Sequence, residues 1–253
     1  MKGEGGMSRI VCQFSCGAAS AVATKLAIAR FGRENLVIYN AFVKEEDSDN
    51  RRFLVDCEEW FSHPVTILRD EKYGASAREV WRRERYMNGP FGASCSTRLK
   101  REVIEAHCLP DDRYVMGFVI DEKNQSRIER GRAVNWIMPC IDSNLTHADC
   151  RGIIERAGIV LPRRYAQGYG NANCVGCCKG GQKYWRKTRR DSPADFLEVA
   201  AIQRELGPGA YFFRNRTTGE RWPLDQLSDE GPVDEVCAPE CSIFCALAEE
   251  ELS

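Results

Sequence analysis

The chain has 253 residues, of which 43% are hydrophobic and 29% charged, with 36 basic and 37 acidic side chains and a formal net charge of −1. These values are typical of a soluble globular protein of one or two domains, and they exclude a collagenous, disordered or membrane-spanning chain. A net charge so close to zero gives no general attraction to nucleic acid or to a membrane surface. Any such partner must therefore be bound by a local patch.

Alternating strands and helices are predicted along the first 160 residues. The strands are expected at Arg9–Phe14, Asn35–Asn40, Val65–Leu68, Tyr114–Ile120 and Asn135–Pro139. Helices are expected at Ala18–Phe31, Asp49–Phe61, Ser76–Tyr86, Thr97–His107, Asn124–Ala133, Thr146–Ala157 and, later, Pro193–Leu206. This alternation predicts an α/β fold in which a parallel five-stranded sheet has helices on both faces. Because the composition changes after Leu161, we expect a nucleotide-type domain over residues 1–160 and a cysteine-rich lobe over residues 161–253.

Cysteine is the unusual component, with thirteen residues gathered largely into local clusters. The sequence carries no recognisable export signal. In a reducing cytosol, dense cysteine clusters indicate metal or redox chemistry rather than a disulfide framework. We therefore expect a cytoplasmic protein without a membrane partner.

The loop between the first strand and the first helix consists only of small residues. In parallel α/β sheets this turn commonly holds phosphate, because backbone N–H groups and the helix dipole point towards it. A plain tight turn would have the same composition. The predicted phosphate-binding residues are Ser15, Cys16, Gly17, Ala18 and Ser20.

This loop resembles the pyrophosphate loop, usually Ser-Gly-Gly-x-Asp-Ser, of the adenine-nucleotide α-hydrolase superfamily, in the form used by its phosphoadenosine phosphosulfate (PAPS) reductase-like family. Cys16 stands where the first glycine is usual, and Ala19 replaces the aspartate. The resemblance implies a Rossmann-like domain that binds ATP or PAPS. Mg²⁺ bound with the nucleotide would have no aspartate ligand from this loop, because Ala19 stands at that position.

Two further segments are similar to elements of the same family that lie near the nucleotide. Cys95 to Arg101 looks like the Cys-Thr-x-x-Leu-Lys element, and Gly117-Phe118 with the later Glu and Arg looks like the Gly-Phe/Tyr…Glu…Arg element. A basic helix face exposed to solvent would show the same charges. The nucleotide-binding residues that the resemblance adds are Arg98, Lys100, Arg101, Gly117, Glu122 and Arg127.

Cysteines in the last third of the chain have the spacing of metal ligands. Cys174 and Cys177 form a Cys-x2-Cys turn with glycine at its centre, and Cys241 and Cys245 supply a second pair. Four thiolates suit either a structural Zn²⁺ or an iron–sulfur cluster. The reserve ligands are Cys178 and Cys237.

The block from Leu161 to Trp185 and the terminal Glu240-Cys241-Ser242-Ile243-Phe244-Cys245 also resemble a subgroup of PAPS-reductase-like proteins close to the sulfurtransferases of DNA phosphorothioation. This similarity implies a [4Fe–4S] cluster rather than zinc. Cys241 corresponds to the cysteine that attacks sulfur in true sulfonucleotide reductases. Phe244 replaces the histidine of their motif, and Cys245 adds a thiol that the motif lacks.

Together these features predict an enzyme that adenylates an acceptor with ATP and delivers sulfur from a persulfide donor such as a cysteine desulfurase. Reduction of PAPS or adenylyl sulfate by Cys241 and a thiol reductant is the second hypothesis. The third is a zinc-stabilised binding module that holds nucleic acid through Lys183–Arg190, although that run is more simply a helix face with its aromatic rings in the core. A monomer and a homodimer both stay open. The catalytic candidates are Cys241, Cys95, Cys16 and Lys100.

Overall fold

The computed structural model describes residues 8–90, 92–121, 125–233 and 243–252, and it confirms an α/β fold. The strands are β1 (Ile10–Gln13), β2 (Leu36–Ala41), β3 (Val65–Leu68), β4 (Asn88–Gly89), β5 (Gly92–Ala93), β6 (Arg113–Val115), β7 (Phe213–Arg214) and β8 (Arg221–Trp222). The helices are α1 (Ala18–Phe31), α2 (Asp49–Phe61), α3 (Ala77–Glu84), α4 (Ser94–Ser96), α5 (Glu102–Glu105), α6 (Gln125–Ala133), α7 (Pro139–Asp142), α8 (His147–Arg156), α9 (Arg163–Ala166), α10 (Gln182–Asp191), α11 (Pro193–Leu206) and α12 (Ile243–Leu252). A π-helical turn, Thr97–Arg101, joins α4 to α5.

The central sheet has four strands in the order β3-β2-β1-β6, and all three pairs are parallel. Five strands were expected. In the described residues, the segment expected to form the fifth makes a single parallel bridge, between Val115 and Ile137, and adds no further ladder. Two short antiparallel pairs, β4 with β5 and β7 with β8, lie outside the sheet.

Helices cover both faces of the sheet because its strands are apolar on both sides. Cys12 of β1 belongs to a buried cluster with residues of α1, α8 and α12. The neighbouring Val11 points to the opposite face, where it belongs to a cluster with Val103 and Ile104. In the part of the chain that the structure describes, no helix is both long and apolar enough to cross a bilayer.

A second hydrophobic core brings together segments from both sides of the predicted boundary at residue 160. Trp81 of α3 and Leu99 of the π-helical turn lie in one buried cluster with Trp185 of α10 and Val199 of α11. The last helix, α12, returns to the first core and packs against α1 and α8. Both cores therefore draw on residues from each side of that boundary.

The order of the strands fixes where a ligand can approach the sheet. The chain runs from β1 to β2 and β3 on one side, and it comes back to the other side of β1 with β6. Crevices form outside the carboxyl ends of the strands at such a topological switch point. The loop after β1 and the loop after β6 meet there.

Candidate functional site

The small-residue loop after β1 is held in shape by the hydroxyl of Ser20. This oxygen accepts hydrogen bonds from the backbone N–H groups of Ser15 at 3.2 Å and Gly17 at 3.3 Å, and it donates one to the carbonyl oxygen of Gly17 at 2.9 Å. The N–H of Ala18, the first residue of α1, donates to the hydroxyl of Tyr165 at 3.2 Å. The N–H groups of Ser15, Gly17 and Ala18 thus have oxygen partners within the chain, at the kind of helix terminus that commonly binds anions.

Cys16 occupies the left-handed backbone region, with φ of 57°, at the position where the resembling loops carry glycine. Its thiol is fully buried under the loop, 3.4 Å from Nδ2 of Asn40 and near the guanidinium of Arg51. Burial raises the pKa of this thiol to about 12. We expected Cys16 to face the nucleotide, but its side chain lies outside the lining of the cavity described next.

A cavity of about 270 Å³ lies between the loops that follow β1 and β6, and we call it the loop cavity. A Cβ atom added to Gly117 would lie 2.7 Å from Cα of Ser20, so only glycine permits this close approach of the two loops. The polar and small residues that line the loop cavity include Ser15, Gly17, Ser20, Lys100, Gly117, His147, Tyr165, Asn171 and Asn173.

Several basic residues predicted to bind the nucleotide lie elsewhere. Arg98 forms ion pairs with Glu84 and Glu102, and Arg101 and Arg127 are exposed on helical surfaces outside the loop cavity. Glu122 lies outside the described residues. Of the cationic side chains predicted for this role, the structure brings Lys100 to the loop cavity.

A second cavity, of about 200 Å³, is bordered by four cysteines, and we call it the thiol cavity. Its four thiols are those of Cys95, Cys174, Cys177 and Cys178. Trp81 also lines the thiol cavity. Cys178, a reserve ligand, and Cys95, a catalytic candidate, are hydrogen-bonded neighbours in this lining.

The Cys174–Cys177 turn is fixed by both backbone and side-chain contacts. Gly176 has a φ of 74°, which favours glycine, and the hydroxyl of Tyr184 bridges the turn. This hydroxyl accepts from the N–H of Cys177 at 2.9 Å and donates to the carbonyl oxygen of Cys174 at 3.0 Å. The glycine conformation and the two hydrogen bonds together define the shape of the turn.

The thiols of the cavity differ in acidity. The hydrogen bond with Cys178 lowers the pKa of Cys95 to about 7 and outweighs the opposing effect of burial. Burial raises the pKa of Cys174 and Cys177. Cys95 is therefore the thiol of this cavity that most readily forms a thiolate near neutral pH.

Lys100 lines both the loop cavity and the thiol cavity. It lies on the π-helical turn, whose Leu99 is buried in the second core, and such turns recur at functional sites. Its ammonium group donates to Oε1 of Glu46 at 2.8 Å. Burial lowers the pKa of Lys100. The nearby carboxylate of Glu46 and the thiols of Cys174 and Cys177 raise it by a larger amount, so the pKa lies above its ordinary value.

Glu46 was not predicted as a site residue. Its side chain is 3% exposed and lies beside both Lys100 and Arg51. The sequence offered one clue, a run of four charged residues, Lys44 to Asp47, shortly after a buried strand. Charged runs are usually solvated, so the pattern alone does not separate Glu46 from its neighbours.

Of the second predicted ligand pair, Cys245 does not line the thiol cavity. Cys245 lies on α12 in the first core, with its sulfur 3.6 Å from the carbonyl oxygen of Asp149 and in contact with Arg156. Cys237 and Cys241 lie outside the described residues. Within the ranges described, no group of three or more His, Cys, Asp or Glu side chains is arranged to hold a metal ion.

The basic run Lys183–Arg190 lies on α10, with Trp185 fully buried. Lys187 pairs with Asp191 at 2.9 Å, and Arg189 pairs with Asp229. This agrees with the interpretation of the run as a helix face whose aromatic rings enter the core. Nucleic-acid binding by this run stays a prediction.

Comparison of the chain with protein-family models gives no match, and comparison with curated proteins gives none either.

Proposed function

We propose that this chain is an enzyme that binds an adenine nucleotide in the loop cavity and supports sulfur transfer to an acceptor that it has adenylated. The observation that carries this proposal is the placement of Lys100, which lines both the loop cavity and the thiol cavity. One cation can then neutralise phosphate on one side and thiolate on the other. The sequence resemblance to the PAPS-reductase-like family supports the same pairing of nucleotide and sulfur.

In the proposed reaction, the loop cavity would hold the phosphates of ATP. An acceptor oxygen would attack the α-phosphorus, the bond from that phosphorus to the bridging oxygen would break, and pyrophosphate would leave. The N-terminus of α1 and the ammonium group of Lys100 would stabilise the negative charge that develops on the phosphates. Ser20 would keep the loop in its binding conformation.

Sulfur would enter in the second half of the reaction. The terminal sulfur of a persulfide donor would attack the activated carbon of the acceptor, the carbon–oxygen bond would break, and AMP would leave. A thiol would then cleave the remaining sulfur–sulfur bond, which releases the acceptor thiol and leaves a disulfide. The thiol that cleaves this bond reacts as its thiolate.

Four thiols border the thiol cavity, a space of about 200 Å³. Cysteine thiolates are the usual ligands of iron–sulfur clusters. We propose that Cys95, Cys174, Cys177 and Cys178 are the ligands of a [4Fe–4S] cluster, with Cys95 and Cys178 in the roles first assigned to Cys241 and Cys245. When bound, such a cluster supplies electron-transfer or sulfur-binding chemistry.

Calorimetric titration of the full chain, purified without oxygen, with ATP and separately with PAPS tests the proposed function. We expect ATP to bind and the Lys100→Met variant to lose about tenfold or more in affinity, since a charge-assisted contact is removed. Arg101→Met is the matched control, because Arg101 is an exposed neighbour outside the loop cavity. Equal ATP affinity of Lys100→Met and wild type would contradict the proposal, and PAPS binding with release of sulfite would favour the reductase hypothesis.

A further inference from the structure

A series of hydrogen bonds connects the loop after β1 with Lys100, and Arg51 lies at its centre. Asn40, a buried residue of β2, donates from Nδ2 to the carbonyl oxygen of Phe14 at 2.8 Å, and the same nitrogen lies 3.4 Å from the sulfur of Cys16. Nη1 of Arg51, in the first turn of α2, donates to Oδ1 of Asn40 at 3.0 Å. One nitrogen of the Arg51 guanidinium is therefore connected to the loop.

The second terminal nitrogen of this guanidinium faces Glu46. Nη2 of Arg51 donates to Oε2 of Glu46 at 3.4 Å, while Oε1 of the same carboxylate accepts from Lys100 at 2.8 Å. The two oxygens of one buried carboxylate thus have two different cationic partners. A carboxylate that is held at both oxygens has a defined orientation, so the contact point for Lys100 is defined as well.

The shape of an arginine side chain suits this role. Its guanidinium is planar and presents donors at a fixed separation, whereas the ammonium group of a lysine is a single point charge. Arg51 lines neither the loop cavity nor the thiol cavity, so its effect on either cavity must pass through other residues. Arg69 is a useful comparison, because its Cζ lies 4.1 Å from the centre of the Phe42 ring and that of Arg51 lies 5.3 Å from the same centre. In the described part of the chain, the contacts from Asn40 to Lys100 run through Arg51.

We propose that Arg51 is a positioning residue, which holds Lys100, through Glu46, at a defined distance from the loop after β1. This inference rests on the proposed function, in which the loop and Lys100 contact the phosphates of one nucleotide. The two parts come from segments that are distant in the chain, so their separation depends on contacts between those segments. A displacement of a binding group by about 1 Å is enough to weaken such a site substantially.

A double-mutant cycle tests whether Arg51 acts through Lys100. Calorimetry would give the ATP affinity of the wild type, Arg51→Met, Lys100→Met and the double variant. We expect Arg51→Met to lower the affinity about fivefold in the wild-type background and less than about twofold in the Lys100→Met background, because the residue that it positions is then absent. A residue that only supports the fold would cause the same fold-loss in both backgrounds.

Two further variants complete the test, with urea denaturation as the measure of folding. Arg69→Met is the matched control and should bind ATP like the wild type, since Arg69 packs on the same ring outside the series of hydrogen bonds. Arg51→Lys keeps the charge without two separate donor nitrogens, so its affinity should lie between those of the wild type and Arg51→Met. If Arg51→Met does not fold, the cycle is measured with Arg51→Lys in its place.

The outcomes separate this inference from the proposed function. Equal fold-losses on replacement of Arg51 in both backgrounds, or unchanged ATP affinity of the Arg51 variants while Lys100→Met binds weakly, would overturn the positioning role alone. A wild type that binds no ATP would overturn the proposed function and the positioning role together.

Discussion

The ammonium group of Lys100 lies 2.8 Å from the carboxylate of Glu46, although 54 positions separate the two residues in the chain. The carboxylate is almost completely buried, while the lysine side chain is 34% exposed and reaches two cavities. Because Glu46 holds the pKa of Lys100 above its ordinary value against the effect of burial, the lysine stays cationic at neutral pH. A lysine that stays cationic can form charge-assisted contacts with both phosphate and thiolate.

Replacement of that carboxylate should therefore weaken both the fold and the site. We expect Glu46→Gln to lower the free energy of unfolding by about 1–3 kcal/mol, because Lys100 and Arg51 lose the charge that they share. Urea denaturation measures this change. Glu102→Gln is the control, since its ion pair with Arg98 is exposed and should contribute less than about 1 kcal/mol. Equal effects of the two substitutions would contradict this account of the pair.

Gly117 should tolerate no side chain. In Gly117→Ala the new methyl group would overlap the backbone of Ser20, so the loops after β1 and β6 must separate. We expect a loss of about 1–3 kcal/mol in stability and a weaker affinity for ATP. Gly209→Ala is the matched control, because a Cβ at that position meets no atom within 4 Å. Calorimetry measures the affinity for ATP, and thermal unfolding measures the stability. A Gly117→Ala protein with the affinity and stability of the wild type would contradict the importance of this close approach of the loops.

Alkylation of the metal-free, reduced protein should reveal the acidity of Cys95. Its pKa is lowered to about 7, so its reaction rate with iodoacetamide should rise through pH 7 and level off above it, while Cys174 and Cys177 react only at higher pH. By linkage, ionised Cys95 stabilises the fold fully above the ordinary thiol pKa, and this contribution is lost as the pH falls through about 7.

Removal of Cys178, the hydrogen-bond partner of Cys95, should raise the pKa of Cys95 again. In Cys178→Ala the midpoint of the Cys95 rate profile should move to higher pH, since the hydrogen bond with Cys178 is the main cause of the low pKa. Mass spectrometry of the labelled peptides separates the sites. A midpoint for Cys95 near pH 9 in the wild type would contradict the proximity of the two thiols.

Iron content after anaerobic purification distinguishes the proposed ligands from those predicted at first. The wild type should hold about four irons per chain and absorb broadly in the visible range. Cys95→Ser and Cys178→Ser should lose most of the iron, whereas Cys245→Ser should keep it, because Cys245 lies in the first core beside Asp149. If Cys95→Ser retained its iron and Cys245→Ser lost it, the ligand set predicted from the sequence would be favoured over the one proposed here. One zinc per chain and no colour would favour a closed structural site.

Local patterns were sufficient to predict much of the fold. The helices α1, α2 and α11 and the strand β3 have the predicted bounds, because their apolar spacing and the glycine, serine or proline at their ends act within a few residues. The expected fifth strand does not form in the described residues. A strand needs hydrogen-bonded partners along its length, and Ile137 makes a single bridge, to Val115. Pairing depends on the tertiary fold rather than on the segment itself.

The candidate site was predictable only in part for a similar reason. The small-residue loop and the Cys174–Cys177 turn are compact sequence motifs, and both lie at cavities. Contacts such as that between Lys100 and Glu46, or the one between Cys95 and Cys178, join residues distant in the chain. No spacing rule relates such residues, so these contacts emerge only when the second core is assembled.

The central claim is that the nucleotide and the thiols share one site through Lys100. The most direct measurement is the rate of alkylation of each cysteine in the metal-free protein, with and without saturating ATP. We predict that ATP slows the labelling of Cys95 markedly and leaves Cys108, which lies beside Tyr114 and outside both cavities, unchanged. ATP that binds without altering the rate at Cys95 would mean that the two cavities act separately, and it would contradict the account.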